Sequence, residues 1–186
     1  MTTLRKPLRN GAPALLIIAT LLTACSGDEY NYTAPNEICG TSVDPQALQA
    51  VLPPGDEVEA TSLPLSITVA CEIKVDSRLQ IDIRGLALSG ARDPSERAAT
   101  FRMENSVEEN WGPDFPAVLA DDGAVVSLPC GTGGRTDTLL TEIHLYSDHM
   151  SEDERRDQAT DFTRSYVTGL AEQLNCDARP AAPAPQ

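Results

Sequence analysis

Glu142, His144, Asp148 and His149 come nearest, by type and spacing, to a reactive centre. The two histidines are the only ones in a chain of 186 residues. On an extended segment Glu142 and His144 fall on one side, because strand side chains alternate with a period of two. Asp148 and His149 follow in the next turn, so nitrogen and carboxylate donors could meet one ion, and zinc accepts such a set. The competing reading is a solvated strand face, and on that reading no metal and no cofactor is assigned. Gly131-Thr132-Gly133-Gly134-Arg135-Thr136 offers backbone N–H groups and one cation to an anion. It lacks the lysine and spacing of a phosphate loop and reads as a connection between two strands. The acids Glu152, Asp153, Glu154, Asp157 and Asp161 lack the alternating ligands and glycine turn of a calcium loop. No G-x-S-x-G elbow is present, and no catalytic residue is assigned.

Cysteine chemistry says more. Five cysteines are an awkward number for an exported protein, where thiols tend to pair. The first, Cys25, follows three cations (Arg5, Lys6, Arg9) and an apolar run from Ala14 to Ala24. A basic start, a short apolar middle and small residues at the cut make a secretion leader. The run is too short for a bilayer core, which needs about 20 apolar residues. Leu22-Thr23-Ala24-Cys25 resembles a bacterial lipobox, and that resemblance implies removal of residues 1–24 and lipidation of the Cys25 sulfur. Cys39, Cys71, Cys130 and Cys176 then remain as an even set, none in a C-x-x-C pair, and two structural disulfides are expected.

The leader holds three of the fourteen cations and none of the twenty-eight acids, which leaves the mature chain at −17. A polyanion with 4% aromatic residues has neither the basic stripe nor the stacking platforms of a nucleic-acid binder. Its body is also repelled by anionic lipid surfaces. Residues 25–37 read as a tether, 38–177 as one folded domain, and the Pro/Ala-rich stretch 178–186 as an extended tail.

The elements that must position these residues follow from periodicity. Asp44-Pro45 caps and opens a short helix that Pro53-Pro54-Gly55 ends. Residues 65–75 alternate as a half-buried strand, and Asp76-Ser77-Arg78 turns it into a partner carrying Leu79, Ile81 and Ile83 inward. Asp93 and Glu96 read as a capping box for a helix running to about Asn110 and ended by Trp111-Gly112-Pro113. Residues 117–120 and 124–130 flank Asp121-Asp122-Gly123 as a hairpin, and 138–146 is a further strand. A second capping box, Ser151 to Glu154, opens an amphipathic helix with Ala159, Phe162, Tyr166, Leu170 and Leu174 inward. The expected fold is a single α+β domain, an antiparallel sheet with helices packed on one face.

Cys71 and Cys130 fall on core-facing strand positions, Cys39 lies just before the first helix and Cys176 just after the last. That favours Cys39–Cys71 with Cys130–Cys176. The competing pairing, Cys39–Cys176 with Cys71–Cys130, requires the two strands to be neighbours.

In the order of its parts the chain resembles secreted lipoproteins of actinobacteria known only as domains of unknown function. The likeness lies in lipobox Cys25, Ile38-Cys39-Gly40, Leu52-Pro53-Pro54-Gly55, Cys71-Glu72-Ile73-Lys74-Val75-Asp76, Pro129-Cys130 and the closing helix to Cys176. It implies an exported, disulfide-stapled domain tethered to a membrane and brings no catalytic residues. The expected function is a non-enzymatic lipoprotein on the extracytoplasmic face of the cell membrane. Its membrane contact is through the Cys25 lipid, and its partner is an envelope protein, envelope component or small ligand. The rival expectations are a cell-envelope hydrolase or metal-dependent enzyme and a sensor or accessory subunit of a membrane complex.

Overall fold

A computed structural model describes residues 29–63, 69–90, 92–112, 115–130, 137–146 and 149–176. Cys25, the leader, the glycine-rich loop 131–136, Asp148 and the tail 178–186 lie outside the described residues, as do Leu65 and Ile67 of the expected strand.

In chain order the elements are β1 (Glu37–Ile38), β2 (Thr41–Ser42), α1 (Pro45–Val51), β3 (Val58–Ser62), β4 (Val69–Val75) and β5 (Arg78–Ser89). They continue with α2 (Pro94–Phe101), β6 (Val107–Asn110), β7 (Pro116–Ala120), β8 (Gly123–Pro129), β9 (Asp137–Leu145) and α3 (Glu152–Gln173). Seven strands form one sheet in the order β3-β4-β5-β9-β8-β7-β6, every neighbouring pair antiparallel. Two meanders, β3-β4-β5 and β6-β7-β8-β9, are therefore zipped together along β5 and β9. The α+β class, the antiparallel sheet and both disulfides, Cys39–Cys71 and Cys130–Cys176, agree with the sequence reading. The rival pairing fails because β5 and β9 stand between β4, which carries Cys71, and β8, which leads to Cys130.

Turn chemistry explains the hairpins. Asp76 and Ser77 both take positive φ (50° and 66°) between β4 and β5, the backbone of a two-residue turn whose twist matches that of the strands. Cys39 and Gly40 repeat this between β1 and β2, at φ 50° and 82°.

The main core lies on one face. Ile73, Ile81, Ile83, Leu119, Val126, Leu128 and Ile143 meet Leu48, Val51 and Leu52 around α1 and Phe162, Tyr166 and Leu170 of α3. Asp44 caps α1 by accepting from the Gln46 N–H at 2.8 Å. At α3 the expected capping box does not form. The Ser151 hydroxyl donates to the Glu154 carboxylate at 2.7 Å and does not cap the backbone.

Three other expectations need correction. First, α1 and α3 share a face, but α2 lies on the other, where Ala98 and Met103 cover Val118, Ala120, Val125 and Leu140. Second, α2 stops at Phe101 rather than near Asn110, because Arg102 turns left-handed at φ 54° and Asn105 at φ 49°. Residues 107–110 form edge strand β6, whose Val-Glu-Glu-Asn sequence is too short to display a strand period. Third, the described part of the tether, residues 29–37, packs against the domain. Ala34 is buried, Asn31 N–H donates to Gly55 O at 2.8 Å, and the Tyr32 hydroxyl donates to Pro53 O at 2.7 Å. Burial pushes the Tyr32 phenol up to about 12.

Asp121, in the β7–β8 turn, ties three segments together. It accepts from Asn105 Nδ2 and from Arg156 Nη2 of α3, both at 2.6 Å. The Asn105 hydrogen bond, followed by Arg156, holds its carboxyl below the ordinary value. A carboxyl lowered in the folded state stabilises above its unfolded pKa, and that contribution disappears as pH falls through the folded value. Asp121→Asn is expected to cost about 1.5 kcal/mol at pH 7. In urea titrations the gap from the parent should close as the pH drops below about 4. A gap independent of pH would remove the charge from the account.

Candidate functional site

On the face opposite α3, beside α2, three acid–isoleucine–base triplets stand on adjacent strands. These are Glu72-Ile73-Lys74 on β4, Asp82-Ile83-Arg84 on β5 and Glu142-Ile143-His144 on β9. Each isoleucine points into the main core, so by alternation the flanking charges point to the other face. Antiparallel register then sets Asp82 opposite His144 and Arg84 opposite Glu142. Glu72 stands opposite Asp82 across β4 and β5.

These side chains pair among themselves. Lys74 Nζ lies 2.9 Å from Glu72 Oε2, and Arg84 Nη2 lies 2.8 Å from Asp82 Oδ2. Arg97 of α2 reaches across and donates from Nε to Glu142 Oε1. Its guanidinium also lies 4.5 Å from the centre of the Phe101 ring, which meets the His144 ring edge-to-face at 5.0 Å. The hydrogen bond to Glu72, and then its charge, push the Lys74 ammonium up. Asp82 does the same for the Arg84 guanidinium. Loss of hydration raises the Tyr146 phenol at the open end of the row.

Glu142, expected on a solvated strand face, is only 2% exposed, and Asp82 is 4% exposed. α2 packs on β7 and β8, and from there its Arg97 and Phe101 side chains reach over the outer phase of β9. Glu142 and His144 do share a side, as their spacing requires, but their neighbours are Arg97 and Phe101. Asp148 lies outside the described residues, and His149 is described beyond the end of β9. Among the described residues no three His, Cys, Asp or Glu side chains are grouped so as to hold a metal ion.

Beside the ladder, α2 and β5 bound an open groove of about 270 Å³. Leu86, Leu88 and Leu140 line its apolar side, and Arg92, Glu96 and Arg97 the charged side. Three cations (Lys74, Arg84, Arg97) balance three carboxylates (Glu72, Asp82, Glu142), which makes the ladder neutral within a chain of net charge −14. A neutral, polar, partly apolar surface of this kind can seat a partner without the repulsion that the rest of the chain exerts.

Reading the sequence for histidine clusters missed Arg97, Phe101, Asp82, Arg84, Glu72 and Lys74. The repeated acid–Ile–base triplet was the available signal: Glu72 and Asp82 each pair with the base of their own triplet, whereas the Arg97 partner of Glu142 comes from α2, which no strand pattern announces.

Compared with family models, curated proteins and solved structures, the chain matches none.

Proposed function

We propose that this is a lipid-anchored protein of the extracytoplasmic face of a cell membrane, displaying one disulfide-stapled α+β domain as a non-enzymatic binding module. The observation that carries the reading is cysteine usage. Four of the five cysteines are paired in two bridges, and the fifth is Cys25 at the end of the leader. Paired cysteines fit an oxidising, exported location, and the lipobox-like Leu22-Thr23-Ala24-Cys25 supplies the attachment point. Two acyl chains hold a protein at a bilayer where one binds only marginally. The order of parts supports kinship with the actinobacterial lipoproteins it resembles.

The open sheet face beside α2 is the surface on which this module takes an envelope protein, envelope component or small ligand. Its charges are committed to one another, which suits recognition better than acid–base chemistry.

The test is metabolic labelling with a clickable fatty acid in a bacterial host. The parent protein should take up label, and Cys25→Ala should lose at least nine-tenths of it. An unlabelled parent, or undiminished label in the variant, would end the lipid-anchor reading.

A further inference from the structure

We infer that the groove between residues 29–37 and α1 is the membrane-facing side of the domain, its occupant the interfacial zone of the lipid leaflet. This rests on the lipid-anchor reading above. Tyr30 and Thr33 form one wall; Pro45, Gln46, Gln49 and Ala50 form the other, around about 460 Å³. None of the described lining residues is charged, in a chain with twenty-eight acids.

Chain length supplies the constraint. Tyr30 stands five residues after Cys25, and an extended chain spans at most about 3.6 Å per residue, so the two lie within about 18 Å. Tyr30 is no free end of a tether. It forms a backbone bridge with Gly55, its hydroxyl donates to Leu52 O at 3.2 Å, and its ring meets Tyr32 edge-to-face at 5.7 Å. One wall of the groove is therefore held within that reach of the lipidated sulfur, whatever the rest of the domain does. The ring is still 43% exposed, and a tyrosine with an apolar body and polar tip suits the headgroup boundary. Glutamine, threonine and proline beside it complete a surface that an uncharged interface accepts and that anionic parts of the domain do not offer.

This docking sets the orientation. α1 lies on the α3 side of the sheet, so the charged ladder and the groove beside α2 are turned toward the side from which a partner arrives.

The test uses lipidated mature protein, purified from membranes and reconstituted in phosphatidylcholine vesicles, with tryptophan as a depth reporter. The native Trp111 is buried. Gln46 is exposed in the groove, and Val107 is exposed on β6 at the far edge of the sheet. With lipid brominated high on the acyl chain, Gln46→Trp should lose at least half of its added emission, and Val107→Trp should lose less than a tenth. Equal, weak quenching of both variants in protein that floats with the vesicles would overturn the orientation and leave the anchor standing. Failure to float would overturn the anchor and the orientation with it. A blue shift of Gln46→Trp that grows with protein concentration, without bromine quenching, would assign the groove to a second copy and overturn the inference.

Discussion

Removing either disulfide is expected to lower stability by about 4 kcal/mol, the largest single effect in this domain. The bridges close loops of sequence separation 32 and 46. In the chain-entropy account, forbidding loops of this size in the unfolded chain contributes about 3.7 and about 4.0 kcal/mol. The two loops do not overlap in sequence, so the contributions should nearly add. Each bridge ends in the core. Cys71 is fully buried on β4, Cys176 is 6% exposed after α3, and Cys39 and Cys130 pack against the same cluster. At roughly 3 °C per kcal/mol, Cys39→Ser with Cys71→Ser should lower Tm by about 12 °C. Cys130→Ser with Cys176→Ser should do about the same. Losing both bridges removes about 8 kcal/mol, comparable with the whole stability of an ordinary domain. The fully reduced protein should therefore be largely unfolded at 37 °C. Thermal melts by circular dichroism, with and without reductant, measure this directly. A shift below 3 °C for either pair would show the folded domain holding those ends together without the bond.

Gly169→Ala should destabilise by about 3 kcal/mol, although helix propensity alone predicts the opposite sign. An alanine in a helix interior is favoured over glycine by about 1 kcal/mol. Gly169 lies within α3 and is buried against β2. A Cβ placed there would lie 2.0 Å from the carbonyl oxygen of Ser42. That contact is with backbone, so no rotamer change relieves it. Either α3 retreats or the β1–β2 hairpin lifts, and both disturb the core beside Cys39–Cys71. The magnitude sits at the upper end for overpacking. Urea unfolding of Gly169→Ala beside a control at an exposed α3 position measures it. Equal or greater stability than the parent would mean that the helix and the hairpin do not approach this closely.

Local signals placed many of the elements. The alternation of Cys71, Ile73 and Val75 and the spacing of Phe162, Tyr166 and Leu170 recur in β4 and α3, with those residues buried. Asp76-Ser77 and Asp121-Asp122 turn where they were expected to. Cysteine positions against strand phase led to the observed pairing. β3 and β6 escaped notice, since both are short edge strands whose residues are largely exposed and need no apolar alternation. Residues 29–37 looked like a tether because their composition is polar. They pack through backbone bonds and two tyrosine hydroxyls, which leave no periodic trace.

By itself the sequence determined the things that depend on near neighbours. These are the strand and helix periods, the two-residue turns and the four cysteines that pair. Tertiary structure alone decided which side of the sheet α2 would cover. It also decided that Glu142 would meet Arg97 of α2 and how closely α3 would approach Ser42. The reason is one of separation. Glu142 and Arg84 are opposite in space but 58 residues apart in the chain. No local pattern encodes such a pairing, because the free energy that selects it comes from burying both meanders together in one core.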